Sequence, residues 1–184
     1  MSEVALTVIE LAHLGAELGD AVTEPLARWH AAEWGHLYDP EVWNVDVARQ
    51  EFAEQRALGG GAAPTTYVGL TPDGQVLGSV SLVISDDLAG FEHLGPWMAS
   101  LYVHEPWRRL GVGRRLVRHL LDQSPARQAG QVYLFTADHV DWYTALGWSR
   151  VASTTSGPHG HAVTVMVRPS EAGADSARHP RRAV

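Results

Sequence analysis

Leu101-Tyr102-Val103-His104-Glu105-Pro106-Trp107-Arg108-Arg109-Leu110-Gly111-Val112-Gly113-Arg114 joins a β-rich run to the start of a helix. The run begins at Trp97 and stops before Pro106, which cannot donate to a strand ladder. From Leu110 onward the period changes, with Leu116, Val117, Leu120 and Leu121 on one helical stripe. Between strand and helix, Gly111 and Gly113 permit a tight turn that brings backbone N–H groups close to an anion. The first helical turn adds unpaired donors and the positive end of the helix dipole. Such a strand, turn and helix can hold a pyrophosphate, or can be a plain turn with solvent-facing arginines. A dinucleotide fingerprint requires a third glycine where Leu116 stands. The chain has no lysine, so a lysine-bearing nucleotide loop is excluded.

Working outward, Val4 to Glu10 reads as a first strand, Asp20 to Gly35 as a helix with Pro25 in its first turn, and Val45 to Leu58 as a second helix ending at Gly59-Gly60-Gly61. Thr65 to Leu70 and Gln75 to Ile84 form a hairpin about Thr71-Pro72-Asp73-Gly74. Downstream of the opening segment come a strand over Gln131 to Thr136, a short helix over Asp138 to Leu146, and strands over Trp148 to Ser153 and Ala162 to Val167. The expected order is strand, two helices, three strands, helix, strand, helix, two strands. Periodicity is lost after Pro169, so the chain divides into one domain over 1–168 and a disordered tail over 169–184.

Composition narrows the chemistry. The 184 residues suffice for one ordinary domain, and 45% hydrophobic with 19% charged residues is a globular balance. No apolar run reaches membrane-spanning length and no basic leader precedes the first strand, so a cytoplasmic protein without membrane partners is expected. Without cysteine there is no thiolate metal site and no covalent thiol mechanism. The net charge of -7 is unevenly distributed. Residues 1–105 carry 16 acidic groups against 3 arginines, a net of -13, and residues 106–184 carry 5 against 11, a net of +6. A basic half suits a polyanionic ligand and an acidic half a cationic one. The overall acidity and the lack of an aromatic-basic platform argue against nucleic acid as partner.

A second segment, Leu134-Phe135-Thr136-Ala137-Asp138-His139-Val140-Asp141-Trp142-Tyr143-Thr144-Ala145-Leu146-Gly147-Trp148, places a short aromatic helix between a strand and a glycine, with Asp138 suited to cap the helix and Gly147 to end it. Arg108-x-x-Gly111-x-Gly113 after a hydrophobic strand resembles the acetyl-CoA loop of the GNAT superfamily of N-acetyltransferases. Trp142-Tyr143 followed by Leu146-Gly147-Trp148 resembles that superfamily's second signature. The second block is similar to that of the actin N-terminal acetyltransferases and their bacterial relatives, although an actin substrate is not implied.

The resemblance implies an α/β (α+β) fold, with a mixed, mostly antiparallel sheet of about six to seven strands flanked by about four helices. It also implies acetyl-CoA as co-substrate, with the amides of Arg109, Leu110, Gly111, Val112, Gly113 and Arg114 on its pyrophosphate, and Arg108, Asp138 and Trp142 beside it. The edge of Leu101, Tyr102 and Val103 would pair with pantetheine by strand addition. Tyr143 would protonate the leaving thiolate, and the acceptor would be an amine-bearing small molecule or a peptide N-terminus. The general base is open, because Trp97, Met98, Ala99 and Ser100 offer no carboxylate. His139 is favoured over Glu92, Glu33 and His104 as a group that titrates near neutrality, with His104, like the rest, also readable as structural. Trp34, His36, Tyr38 and, from the far end, His161 are expected at the acceptor, with Trp43 in the same aromatic link. His159-Gly160-His161 places two imidazoles on one strand face, but no third ligand is evident and no metal is assigned. A homodimer is the assembly considered. The missing strand carboxylate leaves a noncatalytic acyl-CoA-binding or regulatory module as the alternative.

Overall fold

The computed structural model describes residues 4–170. Its elements are β1 (Thr7–Glu10), α1 (Ala16–Trp34), α2 (Val45–Ala57), β2 (Thr65–Leu70), β3 (Val76–Val83), β4 (Trp97–Val103), α3 (Val112–Gln123), β5 (Gln131–Thr136), α4 (Val140–Thr144), β6 (Ser149–Ser156) and β7 (His161–Pro169). Seven strands form one sheet in the order β1-β2-β3-β4-β5-β7-β6, antiparallel throughout except for β4 beside β5. The expected element order and mixed sheet are both present. No helix among the described residues is long and apolar enough to cross a membrane.

Each face of the sheet is covered by helix. Leu116, Val117, Leu120 and Leu121 of α3 pack with Leu77, Val80 and Leu82 of β3 and with Val140, Tyr143 and Trp148. On the other face, Val22, Leu26 and Ala27 of α1 and Ala48 and Phe52 of α2 cover Val68, Leu70 and Val76. Full burial of such a side chain contributes about 2 kcal/mol, so these two layers hold the central strands between them. Asn44 fixes the start of α2 by accepting hydrogen bonds from the amides of Asp46 and Val47 at 2.9 and 3.2 Å.

Several boundaries differ from expectation; β6, for one, runs on to Ser156. β1 starts at Thr7 rather than Val4, and the carbonyls of Val4 and Leu6 accept hydrogen bonds from the Arg115 guanidinium instead of from a strand. α1 starts earlier, at Ala16, so Pro25 lies inside the helix and not in its first turn. Its missing N–H leaves the Ala21 carbonyl without the usual helical donor. At the far end β7 runs through Pro169, and the Ser170 amide donates to Gly130 O at 3.1 Å. The tail expected beyond this point lies, from residue 171, outside the described residues.

Candidate active site

β4 carries two irregularities. In its pairing with β3, Ser79 opposes Tyr102 and Ser81 opposes Ala99, so Val80 alone faces both Ser100 and Leu101. This is a β-bulge, and its extra residue Ser100 has φ 51°, a left-handed conformation that costs about 1 kcal/mol outside glycine. Toward β5, Trp97 opposite Tyr133 is the one registered pair, with Tyr133 N donating to Pro96 O at 2.9 Å. Beyond that pair β4 and β5 separate, leaving the edge at Leu101, Tyr102 and Val103 without a strand partner on that side.

At the end of that edge lies the glycine loop. Arg109 has φ 62°, and Gly111, which precedes α3, has φ 84°. No side chain caps the α3 N-terminus and no acidic residue occupies its first turn, so its amides remain available to an anion. A Cβ on Gly113 would stand 3.5 Å from Val103 Cγ2 and 3.6 Å from the Trp142 ring, which places α4 against the start of α3. Arg109, Leu110, Gly111, Val112, Gly113, Arg114 and Trp142 thus come together around one helix N-terminus, as a pyrophosphate site requires. The side chain of Arg108 turns the other way. Its Nε donates to Val103 O at 2.8 Å, its guanidinium lies 5.5 Å from the centroid of the Tyr102 ring, and Nη2 is 3.7 Å from Glu33.

Tyr143 is buried on α4, edge-on to Trp142 at 4.9 Å and to Trp148 at 6.1 Å. Gly147, with φ 88°, turns the chain so that Trp148 N donates to Tyr143 O at 3.1 Å. Burial raises the pKa of the Tyr143 phenol, so it stays protonated through the neutral range. Asp138 does not cap α4. The residue preceding the helix is His139, which uses no side-chain cap, and its amide donates to Thr136 Oγ1 at 3.2 Å. The His139 and Asp138 side chains are exposed.

The remaining base candidates are spread over the surface. Glu33 lies beside Arg108, and Glu92 is exposed and accepts the Gly90 amide at 2.9 Å. His104 stacks on Trp29, with ring centroids 4.2 Å apart and planes 11° apart, and its Nδ1 is buried without a partner. Trp29 also stacks on Tyr102 at 5.6 Å. These α1 contacts with the end of β4 are hinted at in sequence only by the helical spacing of Leu26, Trp29, His30 and Glu33.

His30, on the same helical face, is a further buried contact of this region. It is buried among Trp34, Phe52 and Tyr102 and shares a 2.9 Å hydrogen bond with Ser79 Oγ. Burial pushes its pKa down to about 3, so it is neutral in the folded protein. Since the unfolded chain takes up this proton near pH 6.5 and the folded one does not until about 3, His30 costs stability progressively as pH falls through that window. His30→Gln, which keeps a polar partner for Ser79, should show a smaller loss of melting temperature between pH 6.5 and 4 than the wild type. The slope difference is bounded by about 1.4 kcal/mol per pH unit for one proton. Parallel melting curves for the two proteins across that range would refute the assignment.

Across the sheet, the α1–α2 link meets the β6–β7 turn. The position of a Cβ on Gly157 lies 3.0 Å from Leu37 O, and the rings of His36 and His161 are 6.1 Å apart. Trp34 is half-buried and 6.2 Å from Tyr102, while Tyr38 is exposed and 5.4 Å from Trp43. Of the residues expected at the acceptor, His36 and His161 are brought together, while Trp34 meets Tyr102 and Tyr38 meets Trp43. His159 and His161 do not share a strand face, because Gly160, with φ 67°, ends a turn that holds His159 and β7 begins only at His161. Among the described residues no group of His, Asp and Glu is arranged to hold a metal ion.

Residues 24–148 match the model of the Acetyltransferase (GNAT) family. No curated protein sequence matches. Among solved structures, the yncA protein of Salmonella typhimurium, determined with its cofactor acetyl-CoA, aligns at TM-score 0.63 and 16% identity over 90% of this chain and 94% of its own. The ribosomal-protein-S18-alanine N-acetyltransferase of Escherichia coli aligns at TM-score 0.56 and 17% identity, over 89% and 93%. A spermidine N-acetyltransferase chimera from Vibrio cholerae SpeG and hSSAT aligns at TM-score 0.63 and 15% identity, over 95% and 99%. With the family matched over the glycine loop and the aromatic helix alike, the chain belongs to the GNAT family and is an acetyl-CoA-dependent acetyltransferase.

Proposed function

We propose that this enzyme transfers the acetyl group of acetyl-CoA directly to a primary amine, on a small molecule or a peptide N-terminus, with Tyr143 as general acid. The observation that carries the reading is the conjunction of an uncapped α3 N-terminus with a buried, protonated phenol on the adjoining helix. The first is a seat for pyrophosphate, and the second can give up a proton next to the separating strands. The folds named above act on a protein alanine and on spermidine, both amine acceptors, which fits the same chemistry.

In this scheme the amides from Arg109 to Arg114 bind the pyrophosphate, and the free edge of Leu101 to Val103 pairs with the pantetheine arm. The substrate ammonium first loses a proton, because only the neutral amine has a lone pair for attack. The nitrogen adds to the thioester carbonyl, and a backbone N–H at the bulge of β4 stabilises the oxyanion. Collapse breaks the C–S bond, and the thiolate takes the Tyr143 proton. The acylated nitrogen gives up its second proton, which leaves a neutral amide, and the tyrosinate is reprotonated. With no cysteine in the chain, the scheme passes through no cysteinyl intermediate.

Thiol release from acetyl-CoA across a panel of primary amines and peptides tests the reading. Amine-dependent release with a stoichiometric N-acetyl product is expected. Tight acetyl-CoA binding with no release across the panel would refute it.

A further inference from the structure

A ligand arm that adds to a sheet needs an edge whose backbone groups point outward and are held in place. The His104 amide donates to Leu77 O at 2.9 Å, so the backbone groups of His104 point to β3. Successive residues of a strand point theirs to opposite sides. The N–H and C=O of Val103, which lies opposite Gly78, therefore point away from β3 into the gap left by β5. By the same alternation the backbone groups of Leu101 face that gap.

The Val103 carbonyl is already engaged. The 3-10 turn of Glu105 to Trp107 brings the Arg108 side chain back onto the strand, and its Nε donates to Val103 O at 2.8 Å. The rest of the guanidinium reaches toward α1, with Cζ 5.5 Å from the centroid of the Tyr102 ring and Nη2 3.7 Å from Glu33 Oε2. Tyr102 is itself packed on α1, against Trp29 at 5.6 Å and Trp34 at 6.2 Å. One arginine thus joins the last carbonyl of the open edge to a ring and a carboxylate in the layer above it.

The three contacts are unequal. Arg108 and Glu33 are each 47% exposed, so their ion pair adds little by itself. The bond from a charged donor to Val103 O is the stronger one, and the Tyr102 face adds cation–π attraction. The main effect of Arg108 therefore falls on β4. An edge fixed before the ligand arrives costs less ordering when it binds. With Val103 O occupied, the groups left for an incoming arm are the Val103 N–H and the N–H and C=O of Leu101. The anion site lies elsewhere, at the uncapped α3 N-terminus.

We infer that Arg108 is a positioning residue for the pantetheine arm and not a ligand of the coenzyme phosphates. It holds the end of β4 against α1 and, by occupying Val103 O, confines pairing to Leu101 and the Val103 amide. The inference rests on the proposed pairing of this edge with pantetheine and deepens it by naming the residue that prepares the edge.

Calorimetric dissociation constants should be compared for acetyl-CoA and for 3′-phospho-ADP, which keeps both phosphates of the pyrophosphate and lacks pantetheine. The proteins are the wild type, Arg108→Met, Arg108→Lys, Glu33→Gln and the double variant Glu33→Gln, Arg108→Met. The wild type should bind acetyl-CoA more tightly than the nucleotide. Arg108→Met should weaken acetyl-CoA ~10-fold, the worth of a hydrogen bond from a charged donor, and leave the nucleotide unchanged. Arg108→Lys, which keeps one charged donor, should recover part of the loss. Glu33→Gln should weaken acetyl-CoA alone, by less, and add nothing in the Arg108→Met background. It serves as the second probe if Arg108→Met folds poorly. Equal weakening of both ligands by Arg108→Met would indicate a phosphate contact or a general defect and would overturn the inference. Unchanged or tighter binding of acetyl-CoA, or additive losses in the double variant, would overturn it too. Equal binding of the two ligands by the wild type would instead refute the reading of the edge itself, and the inference with it.

Discussion

Tyr143→Phe should lower kcat about 100-fold, the usual contribution of a positioned general acid, while leaving the KM for acetyl-CoA nearly unchanged. The substitution removes one oxygen from a buried ring whose packing on Trp142 and Trp148 is otherwise kept. The hydroxyl makes no hydrogen bond with any described residue, so its loss strands no partner and folding should be little affected. A drop confined to kcat locates the lost interaction in the transition state and not in ground-state binding. A solvent isotope effect on kcat that disappears in the variant would tie it to proton transfer. Wild-type turnover in Tyr143→Phe would remove the residue from the chemistry.

Gly78→Ala should be the most damaging single methyl in the central sheet. A Cβ there would lie 2.3 Å from Tyr102 O and 3.0 Å from Val103 Cα, and both obstacles are backbone. β3 and β4 must separate at the point where the bulge begins, since no side-chain rotation can relieve the clash. Overpacking of this kind costs about 3 kcal/mol, which for a domain of this size lowers Tm by roughly 6–12 °C. On the proposed pairing of this strand with pantetheine, the KM for acetyl-CoA should rise as well. A thermal melt paired with an acetyl-CoA titration checks both, and an unshifted Tm would show that the strands are not as closely apposed as described.

How much of this was legible in the sequence depends on how local the cause was. The ranges of β2, β4 and β5 agree with expectation because each is an apolar or β-branched run bounded by a glycine, a proline or a polar turn. The stripe on α3 is equally plain, since a period of 3.6 needs no knowledge of the partner. Errors arose where another group took over the expected role. Asp138 has the chemistry of a helix cap, but Thr136 receives the amide instead. Val4 to Leu6 has strand composition, but Arg115 claims its carbonyls.

The site divides along the same line. The glycine loop and the aromatic helix are contiguous motifs, so both could be located in sequence. The bulge at Ser100 and the His30–Ser79 pair join residues from separate elements, and no spacing rule marks them. Ser100 is the clearest case, a serine with φ 51° where composition would suggest ordinary strand.

The separation of β4 from β5 also bears on the order in which the two substrates arrive. The layer of α3 lies on one face of the sheet, and the layer of α1 and α2 on the other. The coenzyme and the amine can then approach from opposite mouths and occupy the cleft together, so neither must leave before the other enters. Double-reciprocal plots at varied concentrations of both should converge to the left of the axis, as for a ternary complex. Parallel lines would instead require an acylated form of the protein.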